Sequence, residues 1–542
     1  MTENWYESRK FIRFLEIIPG LFAWGFIALP FVLAFVSPVA LGVLIMLYSM
    51  IWLGKALNIS RHLVSGFFRL RKNMKINWLD LLKKTSKIKK VETFWLNRSK
   101  RFKKPSDKEE LGLVRALGSR QDLIKDWRDL YHVVIFAVSS ERLDITESSL
   151  KFIIASNYPN DKIIVVFAGE EKYKEGFLED IKILEKKYAH KFKDFRWYLH
   201  TLKDGEVVGK GSNITNAGKK FWKDYKNKGL LPENMIVTTL DADHTVHCEY
   251  FARLSYQYVM DSNRHNKTYQ PIPLLFNNIW DVPMLNRIAA VSTSFWQFIE
   301  GMRSYKLRTF AAHSQTMDTL LKTDFWSVKT IVEDGHQYWR TYFALGGDAH
   351  IVPMYIPVYQ DAVLGENVWQ SIKNQYKQLR RWSWGVTDFP FVVINAIKHK
   401  EIPLFERLLQ IYRQFISFFT WASASFFLAT SWIPLALSQA FQDTAFAHNS
   451  SLYASKTLSF AWFGVFLNYW LSLFLFPPKP KHYGLRYNLE MIFQWVFSPI
   501  FAIFILALPA LETQTRLIIN KRLEYFWVTP KLRKSELTHL KK

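Results

Sequence analysis

Two pairs of acidic residues in this chain have the type and spacing for metal or acid-base chemistry. Asp241 and Asp243, separated by one alanine, follow the apolar run 237–240. Their carboxylate oxygens are ligands that Mg²⁺ or Mn²⁺ prefers, often together with substrate phosphates. Glu333 and Asp334 form a second acidic pair and are adjacent in the segment IVEDGHQYW. In isolation each pair also has a plainer interpretation, a polar turn after a strand and the acidic start of a helix.

Two further segments carry basic and polar residues at suggestive spacings. The segment 209–218 reads GKGSNITNAG, and a glycine-rich turn with a lysine before a helix N-terminus suits a phosphate. In the segment 368–385, apolar and aromatic residues recur at helical spacing beside lysines and arginines. A basic amphipathic helix with tryptophans fits a membrane surface, and a helix packed on a sheet fits equally well.

The elements that must position these residues alternate between strand and helix. Strands are predicted at 132–139, 162–167, 195–200 and 235–240, and helices at 146–156, 176–188 and 213–227. Such alternation indicates a mostly parallel sheet with helices on its faces. Ligands of open α/β sheets bind outside the carboxyl ends of the strands. Asp241 and Asp243 are predicted to lie at such an end.

The apolar residues of this 542-residue chain are concentrated at its two ends. The run 14–54 contains one charged residue, Glu16, and a break at Ser37-Pro38, so it predicts two membrane crossings. Three more apolar runs, 415–437, 458–476 and 491–511, predict three or four C-terminal crossings. The basic segment 61–104 flanks the first pair and indicates the cytoplasmic side.

The composition limits the kinds of partner that this chain is expected to bind. A formal charge of +25 favours an anionic partner such as nucleic acid, an anionic membrane or a phosphorylated substrate. The single cysteine, Cys248, excludes an intrachain disulfide and is expected to be a core thiol. Trp78, Leu79, Leu81 and Leu82 predict short amphipathic helices that lie against lipid headgroups.

Three motifs, taken in order, resemble those of a known family. Asp241-Ala-Asp243, Glu333-Asp334 and Gln378-Leu-Arg380-Arg381-Trp382 are similar to the Asp-x-Asp, (Thr/Glu)-Asp and Gln-x-x-Arg-Trp motifs of membrane-integrated family 2 glycosyltransferases. That group includes the cellulose, chitin and hyaluronan synthases. The third motif also precedes the C-terminal apolar runs, as it does in the family. The likeness extends to the segment 527–531, WVTPK, which resembles a segment that follows the last spans in relatives.

The resemblance implies a fold and an activity. The fold is a GT-A-type α/β domain in the cytoplasm, with a mostly parallel mixed sheet and helices on both faces, inserted between N- and C-terminal transmembrane helices. The activity is that of an inverting hexosyltransferase, which transfers a sugar from a nucleotide-diphosphate sugar, expected to be a UDP-sugar, to a growing polysaccharide and passes the product across the membrane. The cofactor is Mg²⁺ or Mn²⁺, and the location is the bacterial inner (plasma) membrane.

The resemblance also assigns roles to residues. Asp334 is the catalytic base, Asp241 and Asp243 hold the metal, and Arg381 pairs with the diphosphate. Trp382 stacks on the acceptor sugar, and Gln378 lines the acceptor site. The implied substrate-binding residues are Glu141, Lys210, Asn216, Asp241, Glu333, Gln378, Arg381 and Trp382.

These assignments predict six regions along the chain. They are an N-terminal transmembrane hairpin (1–57), a basic juxtamembrane linker with helices (58–130), the catalytic domain (131–365), amphipathic interface helices (366–405), a C-terminal transmembrane bundle (406–515) and a basic tail (516–542).

Two segments depart from the family pattern. FAGEE (167–171) stands where the family often has Asp-Asp-x-Ser, which leaves the nucleotide base open, with Glu170 or Glu171 as possible substitutes. AAHSQT (311–316) stands where cellulose-type synthases have Phe-Phe-Cys-Gly, which argues against cellulose or hyaluronan as the product.

Two alternative functions stay open. One is a single-step transferase that acts on a lipid-linked acceptor, and the other is a basic membrane-anchored protein that binds polyanions or lipid. Nucleic acid is not expected as a partner, because no modular nucleic-acid signature is present.

Overall fold

The chain, in a computed structural model, is described for residues 5–444, 447, 467, 470–471, 473–480, 484–523, 529 and 533. It forms two compact units. The helical unit comprises Met1–Val64, Asn278–Thr293 and Ala362–Glu536. The sheet unit comprises Ser65–Asn277 and Ser294–Asp361. The segment WVTPK, except Thr529, and most of the apolar run 458–476 lie outside the described residues.

Eight strands of the described residues form one mixed sheet in the order β3-β2-β1-β4-β7-β6-β8-β5. They are β1 Tyr131–Ala137, β2 Ile163–Glu170, β3 Asp194–His200, β4 Met235–Asp241, β5 Thr245–Val246, β6 Lys267–Leu274, β7 Ser314–Thr316 and β8 His350–Tyr359. The first four strands in chain order pair in parallel. Of the remaining pairs, only β6 with β8 is parallel. The predicted mixed, mostly parallel sheet is therefore confirmed.

The helices agree with the predicted alternation to within a few residues. Up to residue 430 they are α1 Arg9–Val36, α2 Pro38–Asn73, α3 Trp78–Lys83, α4 Ile88–Phe102, α5 Pro105–Gly118, α6 Leu143–Ile154, α7 Lys174–Tyr188, α8 Lys210–Tyr225, α9 Tyr250–Val259, α10 Met284–Gly301, α11 Met317–Lys322, α12 Glu333–Ala344, α13 Val368–Ser383, α14 Asp388–Lys398 and α15 Leu404–Thr430. Further helical segments include Trp432–Ala436, Gln439–Gln442, Leu485–Phe493, Ser498–Phe501 and Leu508–Ile518.

The core of the sheet unit lies on both faces of the sheet. Successive strand residues point to opposite faces, so Val134 and Phe136 join one apolar cluster while Val133 and Ile135 join the other. Helices α4, α6, α7 and α9 cover the first face, and α8 and α11 cover the second. Helices on both faces leave the strand ends as the place where polar side chains can meet.

The apolar residues of α3 lie in this core. Trp78, Leu81 and Leu82 are fully buried beside Trp95, whose indole N–H donates to the Tyr256 hydroxyl at 2.9 Å. The prediction that they lie against lipid headgroups is wrong, because an amphipathic pattern shows that one face is covered but not what covers it. The expectation of a core thiol is also wrong, since Cys248 is exposed.

The helical unit contains most of the membrane-length helices. Within the described part of the chain, four helices are long and apolar enough to cross a membrane: Arg9–Val36, Pro38–Asn73, Leu404–Ala436 and Leu489–Ile518. The predicted break in the first apolar run is confirmed, because α1 ends at Val36 and α2 begins at Pro38. The last of the four is irregular, with a π-helical turn at Ala502–Ala507.

Candidate active site

The predicted acidic turn lies at the carboxyl end of β4. In the parallel register of β1 and β4, Ala137 stands beside Asp241. The chain turns immediately afterwards, because the His244 N–H donates to the Asp241 carbonyl at 3.0 Å. The Ser149 hydroxyl donates to the carbonyl of the buried Ala242 at 2.7 Å and holds the turn from the α6 side. The Asp241 side chain is thereby presented at the ligand-binding edge of the sheet.

Asp241 contacts both a lysine and a histidine. Lys210 Nζ lies 2.7 Å from Asp241 Oδ1, and the two side chains are 10% and 32% exposed. The Asp241 N–H donates to His244 Nδ1 at 3.2 Å, so the neutral ring carries its proton on Nε2, which lies 3.3 Å from Asp241 Oδ2. This histidine therefore orients the carboxylate from the buried side.

Asp243 is held by a buried polar network. Its Oδ2 accepts the Asp361 N–H at 2.8 Å, and the side chain of Asn277 donates to the Asp243 carbonyl at 3.0 Å and to Asp361 Oδ1 at 2.9 Å. Asn277 Oδ1 in turn accepts the Thr245 hydroxyl at 3.1 Å. Because Asn277 follows β6 and Asp361 follows β8, these strands fix the direction of the second carboxylate.

The two carboxylates fit a divalent cation. Ligand atoms of Asp241, Asp243 and His244 lie within 4.8 Å of one another. His244 Nδ1 accepts the Asp241 N–H, and Nε2 lies 3.3 Å from Asp241 Oδ2, so both ring nitrogens face Asp241 in this arrangement. The available donors are then carboxylate oxygens, which suit Mg²⁺ or Mn²⁺.

Lys210 is surrounded by carboxylates from two different elements. Burial alone would lower the pKa of Lys210, but the charges of Asp241, Glu333 and Asp334 outweigh it and leave the pKa above its ordinary value. A Cβ on Gly211 would lie 2.5 Å from the Ser327 carbonyl oxygen and 3.0 Å from Glu333 Cβ. Only a glycine allows this close approach, which brings the first turn of α8 to the first turn of α12.

Asp334 lies in the first turn of α12. Its Oδ1 accepts the Gly335 N–H at 2.8 Å, and its main-chain carbonyl accepts the Thr309 hydroxyl at 2.5 Å. Its neighbour Glu333 is buried, whereas Asp334 is partly exposed. Of the second acidic pair, Asp334 is thus the one that can meet a substrate.

His313, which sequence reasoning did not single out, lies close to this group. Trp326 donates its indole N–H to His313 Nε2 at 3.0 Å, so His313 Nδ1 carries the proton and donates to the Phe310 carbonyl at 2.9 Å. Burial lowers the pKa of His313 to about 4, and the charges of Lys210 and Asp334 also act on it. His313 is therefore neutral, and its two hydrogen bonds hold the ring in place beside the site.

Glu141 lies beside a cleft at the ends of β1 and β2. Its Oε2 accepts the Ser139 N–H at 2.7 Å. The cleft has a volume of about 510 Å³ and is lined by residues 138–141, 171–177 and 180, among them Glu171 and Tyr173. Since Ala137 is paired with Asp241, the cleft begins next to the acidic turn.

The other predicted residues have different surroundings. Asn216 donates its amide N–H to the Leu199 carbonyl at 3.1 Å, which ties α8 to the end of β3. Gln378, Arg381 and Trp382 are on α13, in the helical unit. Gln378 is buried and accepts the Gln375 side-chain amide at 3.1 Å, whereas Arg381 and Trp382 are partly exposed. Their roles stay predictions.

His244, Asn277, Asp361 and His313 were missed by sequence reasoning. Asn277, Asp361 and His313 belong to the site only through contacts between different segments of the chain, whereas His244 contacts Asp241, three residues away. His244 alone had a local signal, since it directly follows Asp243.

No family model and no curated protein matches this chain. It is similar in structure to the mannosyltransferase PcManGT from Pyrobaculum calidifontis, solved with GDP-Man and Mn²⁺, at 14% identity over 63% of this chain and 84% of that chain, with a TM-score of 0.40. It is similar to S. aureus TarS 1-349, solved with UDP-GlcNAc, at 12% identity over 60% of this chain and 89% of that chain, with a TM-score of 0.34. A third likeness is to GalNAc-T7 with UDP, GalNAc and Mn²⁺, at 10% identity, 56% and 58% coverage and a TM-score of 0.28. With TM-scores of 0.40 or less these are distant likenesses, and a functional assignment depends on the site residues.

Proposed function

We propose that this protein is a metal-dependent, inverting glycosyltransferase that uses a nucleotide-diphosphate sugar and extends a glycan at a membrane. The observation that carries the proposal is the convergence of two acidic motifs on one lysine. The acidic turn after β4 and the first turn of α12 both place carboxylates around Lys210, and Asp241 lies 2.7 Å from it. A divalent cation bound together with an anionic substrate would balance the charges of Lys210 and the surrounding carboxylates.

The donor is proposed to lie across the carboxyl ends of β2, β1 and β4. The cleft beside Glu141 would hold the base and ribose, and Lys210 would exchange its contact with Asp241 for a phosphate oxygen. Asp241 and Asp243 would hold Mg²⁺ or Mn²⁺, which when bound supplies Lewis-acid neutralisation of charge on the leaving diphosphate. His244 lies against the Asp241 carboxylate. Asn277 holds the Asp243 main chain and Asp361, whose N–H donates to the Asp243 carboxylate.

Asp334 is proposed to take the proton of the acceptor hydroxyl. It is the partly exposed member of the second acidic pair, and the charge of Lys210 acts on it from across the site. As the acceptor oxygen attacks the anomeric carbon from the face opposite the diphosphate, its proton passes to Asp334 Oδ and the sugar–phosphate bond breaks. The configuration at the anomeric carbon is inverted in this single displacement.

The residues of the third motif are proposed to act on the same substrates. Arg381 would pair with the diphosphate through its guanidinium, and Trp382 and Gln378 would contact the acceptor sugar, as the resemblance implies. The four membrane-length helices are consistent with transfer at a membrane, followed by passage of the product across it.

A donor screen tests the proposal. The full chain, purified in detergent, would be supplied with a panel of UDP-, GDP- and TDP-sugars, with Mn²⁺, Mg²⁺ or EDTA, and release of the nucleotide diphosphate would be measured. We expect one donor class to give metal-dependent release, and polymeric rather than singly extended product. Absence of release from every donor would contradict the proposal, and a singly glycosylated lipid would favour the one-step alternative.

A further inference from the structure

Helix α13 has two different polar faces. Residues three or four apart share a face of an α-helix, so Tyr376, Arg380 and Ser383 form one stripe. The same rule places Gln378, Arg381 and Trp382 on another stripe, roughly opposite the first. The spacing of the Gln-x-x-Arg-Trp motif therefore leaves Arg380, its third residue, pointing away from the motif's other polar residues.

The first stripe is bound to the last membrane-length helix of the same unit. The Tyr376 hydroxyl donates to Glu512 Oε2 at 2.7 Å, and Arg380 Nη1 lies 3.0 Å from Glu512 Oε1. One turn further on, the hydroxyls of Ser383 and Thr513 are 2.7 Å apart. Both oxygens of a single carboxylate thus engage two residues of α13 that are one turn apart.

This geometry constrains the rotation of α13 about its own axis. One contact would leave the helix free to turn around the contact point, whereas two contacts along one stripe and a third at Ser383 do not. Glu512 and Arg380 are only 26% and 22% exposed, so their interaction is less screened by water than that of a surface pair. A rotation of about 10° would move a side chain at the helix surface by roughly 1 Å.

We propose that Glu512 is a positioning residue for glycosyl transfer, which through Tyr376 and Arg380 fixes the direction of Arg381 and Trp382. The inference rests on the proposed function, because it assumes that Arg381 and Trp382 contact substrate. A displacement of about 1 Å far from the chemistry can reduce a rate by up to about 100-fold. Glu512 does not touch substrate in this proposal; it acts only through α13.

Charge reversal and charge exchange test the proposal. Glu512→Arg places a third guanidinium group beside those of Arg380 and Arg516. We expect a 10- to 100-fold lower kcat for transfer to acceptor, roughly in line with such a displacement. The double variant Arg380→Glu/Glu512→Arg restores the ion pair and should recover kcat to within about fivefold of the starting protein. Donor KM and the thermal midpoint in detergent are measured for every variant.

Two further variants keep the test decisive. Arg516→Gln is the control, because Arg516 contacts Glu512 at 2.7 Å from the same helix and is not part of α13. This variant should leave kcat unchanged.

Tyr376→Phe removes one of the two contacts between Glu512 and α13 without reversing a charge, and it should lower kcat severalfold. It covers the case in which Glu512→Arg does not fold. Unchanged kcat in Glu512→Arg or in Tyr376→Phe would overturn the proposal, as would a folded double variant without recovery. If instead the unmodified protein released no nucleotide from any donor, the proposed function itself would have failed.

Discussion

The two halves of the sheet contribute differently to the candidate site. In the parallel half, β1 to β4, buried apolar strands end in the groups proposed to bind the donor, namely Glu141 and Asp241. In the mixed half, β5 to β8, short or irregular strands lead to groups with a supporting position. Asn277 and Asp361 hold Asp243, and His313 lies near Lys210 and Asp334. Under the proposed function, the parallel half would bind donor and metal, while the mixed half and α12 would provide proton transfer and alignment.

The largest expected effect comes from Asp334, which belongs to the second side of this division. Asp334→Asn removes the proposed base but keeps the side-chain volume, so kcat for transfer should fall by about 10²- to 10⁴-fold. Donor binding in Mn²⁺, measured by calorimetry, should change less than about threefold. The matched control is Asp318→Asn, another aspartate in the first turn of a helix, whose ion pair is with Lys322. If donor affinity and kcat fell equally in Asp334→Asn, the proposed division between donor binding and proton transfer would be wrong.

The next effect concerns the parallel half. Asp241→Asn should lower the affinity for Mn²⁺ by at least about tenfold, because even the loss of a group that only orients a metal ligand has an effect of that size. The measurement is titration of Mn²⁺ by electron paramagnetic resonance, which needs no turnover. Asp334→Asn serves as the comparison and should retain Mn²⁺ affinity. Unchanged Mn²⁺ affinity in Asp241→Asn would show that the metal does not bind at this edge of the sheet.

The sequence predicted the parallel half well and the mixed half poorly. Strands β1 to β4 have seven or eight residues with helices between them, and β1, β2 and β4 are buried apolar runs. The predicted bounds therefore differ from the observed ones by at most three residues. Strands β5 and β7 have two and three residues, too few for any alternation to be recognised. The mixed half therefore forms by pairing of strands that are distant in the chain. Its polar site residues could be recognised only from the three-dimensional structure.

The same limit applies to the site. Asp241 and Asp243 were predicted from their residue type at a predicted strand end, whereas Asp334 was predicted only through the resemblance of its motif. No spacing rule predicts that Asn277 bridges Asp243 and Asp361, since these residues follow three different strands. The error over Trp78 has a similar origin: its helical pattern was correct, but the surface it packs on is defined by α4 and α9.

A smaller effect is expected from Asn277, which joins the halves. Asn277→Ala removes two buried donated hydrogen bonds and leaves the Thr245 hydroxyl without its acceptor. The free energy of unfolding should fall by about 2–3 kcal/mol, seen as a decrease of several degrees in Tm. Mn²⁺ affinity should fall less than in Asp241→Asn, because Asp243 is then misdirected and not removed. Asn227→Ala, at an exposed turn after α8, should change neither quantity.

The smallest effect is a pH dependence of stability to which two buried histidines, His132 in the parallel half and His313 in the mixed half, contribute. Burial lowers the pKa of His313 to about 4 and that of His132 on β1 to about 3. Below pH of about 6.5 the unfolded chain takes up a proton at each position that the folded chain does not, so stability is constant above that pH and falls as pH decreases toward these folded values. Between pH 7.0 and 5.5 each histidine should account for a loss of about 1 kcal/mol. His313→Gln and His132→Gln should each reduce the loss by that amount, measured by unfolding at the two pH values.

Only His313→Gln should also lower transfer activity, because the charges of Lys210 and Asp334 act on His313. An equal loss of activity in His132→Gln would show that the two halves of the sheet do not divide the work as proposed.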